Sequence, residues 1–129
     1  MIKKHKINRQ DVHNKCNGNC GYCGKKITIK EMQIDHMEPL FRNHTDKQLE
    51  YYKRERGTDH MNNLLPSCAR CNRWKSTFTV EDFRNIVQTS IDRLERDTPN
   101  FRLARDFGLI EISKKEVIFY FENNEQKSL

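Results

Sequence analysis

Apolar positions along the chain change their spacing several times, and each spacing predicts a different element. The clearest helical pattern is TVEDFRNIVQTSIDRLERD, where Phe83, Ile86, Val87, Ile91 and Leu94 recur every few residues and draw one apolar stripe. Thr98-Pro99 opens a further short helix, since proline at the first helical position gives up no needed N–H, and Gly108 closes it. Within Ile27–Ile34 the pieces ITI and MQI lead into a strand ending near His36, and Pro39 then breaks the chain. NNLLP reads as a brief second strand, with a helix expected from CARC onward that carries NRWK. LIEISKKEVIFYF predicts a hairpin, two β-rich runs around a polar turn. A short helix is expected around Asp11–Lys15, and an inserted one over Asp46–Arg56, where Thr45 and Gln48 fit a capping box and Gly57 the stop. The stripe and the hairpin are read as core and assigned no chemistry.

These elements make an α+β chain of 129 residues, short enough for one domain and small enough that its core alone is marginal. With 35% hydrophobic and 33% charged residues, apolar burial is thin and a further clamp is expected. No stretch approaches the roughly 18–20 apolar residues of a membrane span. MIKKHKINRQD carries charge without a following apolar run, so a cytoplasmic chain with reduced thiols is expected. The net charge of +6 suits a polyanionic partner, because cationic side chains displace counterions condensed on nucleic acid, although a solvated basic face gives the same number.

Five cysteines change the picture. Cys20-x-x-Cys23 and Cys68-x-x-Cys71 share one internal spacing, which lets each pair reach a single tetrahedral ion. Four thiolates fill every position of Zn²⁺ and leave none for water, so such an ion would be structural. The long connection between the two knuckles must then form structure of its own. Cys16 fits the spacing less well as a replacement for Cys20 and is read as a small buried side chain.

The clamp holds the strand ending at Asp35-His36 near the helix that carries Asn72. The run CGYCGK…IDH…NNLLPSCARCNRWK over about Cys20–Lys75 resembles the HNH endonuclease family, and the helix and FYFE ending look like its small standalone phage and bacterial members. The resemblance implies a ββα-metal fold stapled by zinc, with a nuclease core at about 16–78 and helices plus a hairpin at 79–129. It also implies a metal-dependent endonuclease leaving 5′-phosphate and 3′-hydroxyl ends. The family's middle Asn orients the histidine, and Asn63 rather than Asn62 is the matching residue.

The chemistry of the residues agrees. Phosphodiester hydrolysis requires an activated water and neutralisation of the charge that develops at the phosphate. Asp35 offers a carboxylate oxygen and Asn72 an amide oxygen, a donor pair suited to hydrated Mg²⁺ or Mn²⁺. His36, on the other side of the strand, is the expected general base. The second acid–imidazole pair, Asp59-His60, follows Gly57 in a turn and is read as loop, His60 being at most a phosphate contact. His5, His13 and His44 are assigned no role.

Arg70, Arg73 and Lys75 are the expected DNA contacts, with Trp74 packing beneath them; EYYKRER either lines DNA or is a solvated insertion. No separate recognition module is visible, so nicking or weakly specific cutting is expected. The partner is DNA, and a homodimer or a phage or defence complex would supply what one chain lacks. The competing reading is a zinc-stapled nucleic-acid-binding module without catalysis.

Overall fold

The computed structural model describes residues 6–127; the first five residues, with His5, lie outside them. Helix α1 (Arg9–Lys15) begins at Asn8, whose side chain accepts from the backbone N–H groups of Gln10 and Asp11. It buries Val12 and leads through the wholly buried Cys16 into the first knuckle. Strand β1 (Gln33–His36) pairs antiparallel with β2 (Leu64–Ser67), in the register Gln33 to Ser67 through His36 to Leu64. All four residues of β2 are buried. Helix α3 (Ala69–Lys75) follows directly, capped by the Cys68 sulfur. Two short strands and this helix form the ββα unit.

Helix α2 (Asp46–Tyr51) lies between the strands and has the expected capping box of Thr45 and Gln48. It is shorter than the sequence predicts. Lys53 takes positive φ just past its end, and Arg54 and Arg56 bond the neighbouring loops rather than continuing the helix. The Arg56 guanidinium donates to the carbonyls of Leu40, Phe41 and His44, so it fastens the loop that precedes α2.

The apolar stripe of the C-terminal half forms two helices, α4 (Val80–Gln88) and α5 (Ser90–Asp97), broken at Thr89. α6 (Pro99–Asp106) starts at proline as expected, and Gly108 at φ +74° ends it. The stripe is core only at its start. Phe83 is buried, whereas Val87 and Leu94 are more than a third exposed.

The expected hairpin is absent. Residues 110–119 carry no strand, and α7 (Tyr120–Lys127) begins inside the second β-rich run. The backbone there finds other partners: the Gln88 side chain bonds Lys115 and Val117, and Arg84 donates to the Val117 carbonyl. Tyr120 and Phe121 then donate to the carbonyls of Tyr22 and Gly21 in the first knuckle. These bonds compete with the cross-strand pairing that a hairpin would need.

That docking makes the extension part of the core. Phe83, Phe119 and Phe121 surround the Tyr22 ring at centroid distances of 5.1, 5.0 and 6.2 Å, all edge to face. The aromatic cluster thus closes the core around a residue between Cys20 and Cys23.

Candidate active site

The four knuckle sulfurs of Cys20, Cys23, Cys68 and Cys71 all lie within 4.8 Å of one another, positioned to bind one metal ion. Cys23 and Cys68 are 3.9 Å apart. A tetrahedron with Zn–S bonds of about 2.3 Å has edges of about 3.8 Å, so the sulfurs already stand near ligand spacing. Bonding from Cys71 draws Cys20 down to about 4. The same contact pushes Cys71 up, and burial raises Cys23. Protons held by these thiols would leave when a cation takes their place. Cys16 stays in the core, as the spacing suggested.

Strand alternation and helix periodicity build the facing surface. Gln33 and Asp35, two apart on β1, meet Asn72 and Lys75, three apart on α3. The Asn72 amide donates to Gln33 Oε1 at 2.6 Å, which turns its nitrogen to the strand and leaves its oxygen as the remaining donor atom. Asp35 is buried: Tyr22 Oη donates to its Oδ2 at 2.5 Å, and Lys75 Nζ lies 3.3 Å from the same oxygen. Burial raises the Asp35 carboxyl, with Lys75 and Tyr22 pulling against it. Burial lowers Lys75, and Asp35 opposes that. The Tyr22 phenol, desolvated beside a carboxylate, is pushed well above its usual range and stays a donor.

Lys75 is therefore not a DNA contact. Its side chain is wholly buried, with Nζ on Asp35 and on the His36 carbonyl at 3.1 Å. The sequence counted it as one more cation on a basic helix; the helix periodicity that faces Asn72 to the strand takes Lys75 with it. Trp74 departs from expectation in the opposite direction, being more than half exposed. Arg70 and Arg73 are exposed, and the Cys23 sulfur beside Arg70 raises the Arg70 guanidinium. Of EYYKRER, Tyr51 and Tyr52 are exposed, while Arg54 is bound to Glu38 and the Thr77 carbonyl.

Asp35, His36 and Asn72 line one open cleft of about 520 Å³, with Arg42, Asn43 and His44 on its rim. The first acid–imidazole pair and the helix asparagine are thus brought together. Asn63 behaves differently from expectation. It makes no bond to the imidazole; its Oδ1 accepts from Glu38 N–H at 2.8 Å, and its Nδ2 donates to the Glu38 and Thr58 carbonyls. Its own carbonyl accepts from Met37 N–H. Asn63 ties the backbone just after the histidine, at Met37 and Glu38, to the loop at Thr58.

What bonds the ring is Asp59, which the sequence reading set aside as loop. Its Oδ1 is 2.7 Å from His36 Nε2, and each side chain is about one-fifth exposed. The two acid–imidazole pairs are crossed, the acid of the second meeting the base of the first. The signal available was Gly57. Its N–H donates to Pro39 at 2.8 Å, and a Cβ there would sit 1.6 Å from the Glu38 carbonyl oxygen, so the loop approaches as only glycine permits.

Asp35 and Asn72 fit a divalent cation in chemistry: hard oxygens on one cleft, one charged and one neutral. Asp35 would share its oxygens with two existing donors. That suits an ion that keeps most of its own waters.

Among the described residues, no helix is long and apolar enough to cross a membrane. None of the curated proteins matches the chain. Among solved structures, the Type II-C Cas9 enzyme from Actinomyces naeslundii is similar at 25% identity and a TM-score of 0.46. The likeness covers 64% of this chain and only 9% of that one. The HNH endonuclease family model matches residues 20–78, from the first knuckle to just past α3, the segment that holds the four cysteines, Asp35, His36, Asn63 and Asn72. Residues 20–78 of this chain match the HNH endonuclease family, and they form a mixed helix and antiparallel-strand unit whose four cysteines are placed to hold a metal.

Proposed function

We propose that the chain is a metal-dependent DNA endonuclease that hydrolyses phosphodiester bonds, with His36 as general base. The observation that carries this reading is the cleft itself, where an imidazole, a carboxylate and an amide oxygen from two elements converge within the HNH domain. Zn²⁺ on Cys20, Cys23, Cys68 and Cys71 would be structural, fixing α3 against the knuckle loop.

Asp35 and Asn72 would hold Mg²⁺ or Mn²⁺, and that ion would supply neutralisation of the charge developing on the phosphate and leaving oxygen. His36 accepts the proton of the attacking water. Lys75 and Tyr22 hold the Asp35 carboxylate in place from behind. Asn63 keeps the backbone around His36 from shifting. Arg70 and Arg73, exposed on α3, contact phosphates flanking the cut, which positions a duplex without reading its sequence. Cutting both strands would need a dimer, a partner complex or two successive nicks.

The alternative is a binding module whose cleft does no chemistry. Supercoiled plasmid incubated with the protein in Mg²⁺ or Mn²⁺, against the same mixture in EDTA, separates the two. Metal-dependent conversion to nicked or linear DNA is expected. Salt-sensitive binding with no strand break in any metal would favour the binding module.

A further inference from the structure

We propose that Asp59 is a positioning residue for the general base: its carboxylate fixes the His36 ring in the tautomer that carries a proton on Nε2. The proposal rests on His36 being the base.

The geometry is a 2.7 Å contact between Asp59 Oδ1 and His36 Nε2. An ionised carboxylate only accepts hydrogen bonds, so the nitrogen it touches must bear the hydrogen. In the neutral ring Nδ1 is then left as the acceptor, and Nδ1 is the atom that takes the proton from water. Without a partner the two tautomers would mix, and the ring would rotate about its side-chain bonds. After proton transfer the same carboxylate faces an imidazolium and stabilises it.

The contact belongs to a fastened loop and is not a chance surface meeting. Gly57 N–H bonds Pro39, two residues before Asp59 and three after His36. The Asn63 amide donates to the carbonyl of Thr58, adjacent to Asp59, and to that of Glu38, two residues past His36. The two segments are therefore tied together next to the carboxylate–imidazole pair, through residues 57–58 before Asp59 and 38–39 after His36. Asn63 sets the backbones, and Asp59 sets the ring. Three neighbouring charged groups are engaged elsewhere: Glu38 pairs with Arg54, Arg56 with Asp46, and Lys75 with Asp35.

The test uses the full chain, ¹⁵N-labelled, with long-range ¹H–¹⁵N correlation of the imidazoles in the absence of DNA; the His36 signals are assigned by their loss in His36→Ala. Wild type is expected to show the Nε2–H tautomer at His36, and Asp59→Ala a mixture. In plasmid cleavage Asp59→Ala should lower kcat about 10- to 100-fold, with KM changed by less than about threefold. Asp59→Glu should restore the tautomer and part of kcat. Asp59→Asn, nearly isosteric, guards against misfolding and should still lose about tenfold in kcat, because the amide lacks the charge that stabilises the imidazolium. An unchanged tautomer pattern in Asp59→Ala, or full kcat in both the Ala and Asn variants, would overturn the proposal. A wild type with the expected tautomer that leaves DNA intact would overturn the nuclease reading and with it the role assigned to Asp59, while the carboxylate–imidazole contact itself would stand.

Discussion

Removing the ammonium of Lys75 while keeping its stem is the sharpest perturbation of the site's foundation. In Lys75→Met the methionine fills most of the buried volume, but the Asp35 carboxylate keeps its burial and loses its counter-charge. Breaking a buried pair from one side costs about 3–5 kcal/mol, because the remaining charge is uncompensated. Unfolding entropy near 2.1 cal/mol/K per residue gives about 0.27 kcal/mol/K for a chain of 129 residues, so the loss converts to roughly 11–18 °C in Tm. The double variant Asp35→Asn with Lys75→Met should recover most of this, since Tyr22 still donates to the amide oxygen. The deficit should also depend on pH. Burial already holds the folded Asp35 carboxyl above its ordinary 3.8, and Lys75 is the main opposing influence. A raised carboxyl takes up its proton in the folded chain first, so stability falls as pH rises from 3.8 to the raised value and levels off above it. Without Lys75 that window extends to higher pH, so the variant's deficit is largest at neutral pH and narrows on acidification. Calorimetry of wild type, single and double variants at pH 7.5 and 5.5, with zinc in excess, reads both effects. A Tm change under about 3 °C for Lys75→Met, or a double variant no better than the single, would refute the reasoning.

Three further outcomes are expected. Stripping the ion from the cysteine cluster with a chelator, or replacing Cys68 by Ser, should abolish the cooperative thermal transition, because structural zinc contributes about 10–16 kcal/mol against a total stability of about 5–15 kcal/mol; circular dichroism during chelation and zinc re-addition checks it. Gly57→Ala forces the Glu38 carbonyl away from the new methyl group and should cost roughly 1–3 kcal/mol, with a fall in kcat because Asp59 moves with it; denaturation and plasmid cleavage measured together test the link. Asn72→Ala should raise the Mg²⁺ concentration for half-maximal cleavage by at least about tenfold with folding intact, measured by titrating the metal against fixed DNA.

Local rules made much of the molecule legible. The cap at Thr45, the proline at the start of α6 and the paired two-residue knuckles each act within a few residues, and the structure has all three. Asp35, His36 and Asn72, singled out from their short local motifs, line one cleft in the structure. The hairpin failed because β-rich composition says nothing about competing partners: Arg84 and Gln88 reach across more than 25 residues to take its backbone groups. Lys75 was misread because a basic residue on a basic helix looks solvated until the face it shares with Asn72 is counted. Asp59 was missed for a topological reason. It meets His36 across 23 residues through a loop whose path is set by Arg56, Gly57 and Asn63, and no periodicity encodes that path.

Cleavage of supercoiled plasmid by wild type and His36→Ala side by side, at equal zinc content and equal thermal stability, bears most directly on the central claim. Wild type should cut in Mg²⁺ or Mn²⁺, and His36→Ala should fall by about 100-fold or more, the share a positioned base contributes. Near-normal cutting by His36→Ala in a clean preparation would remove the imidazole from the chemistry and contradict the account.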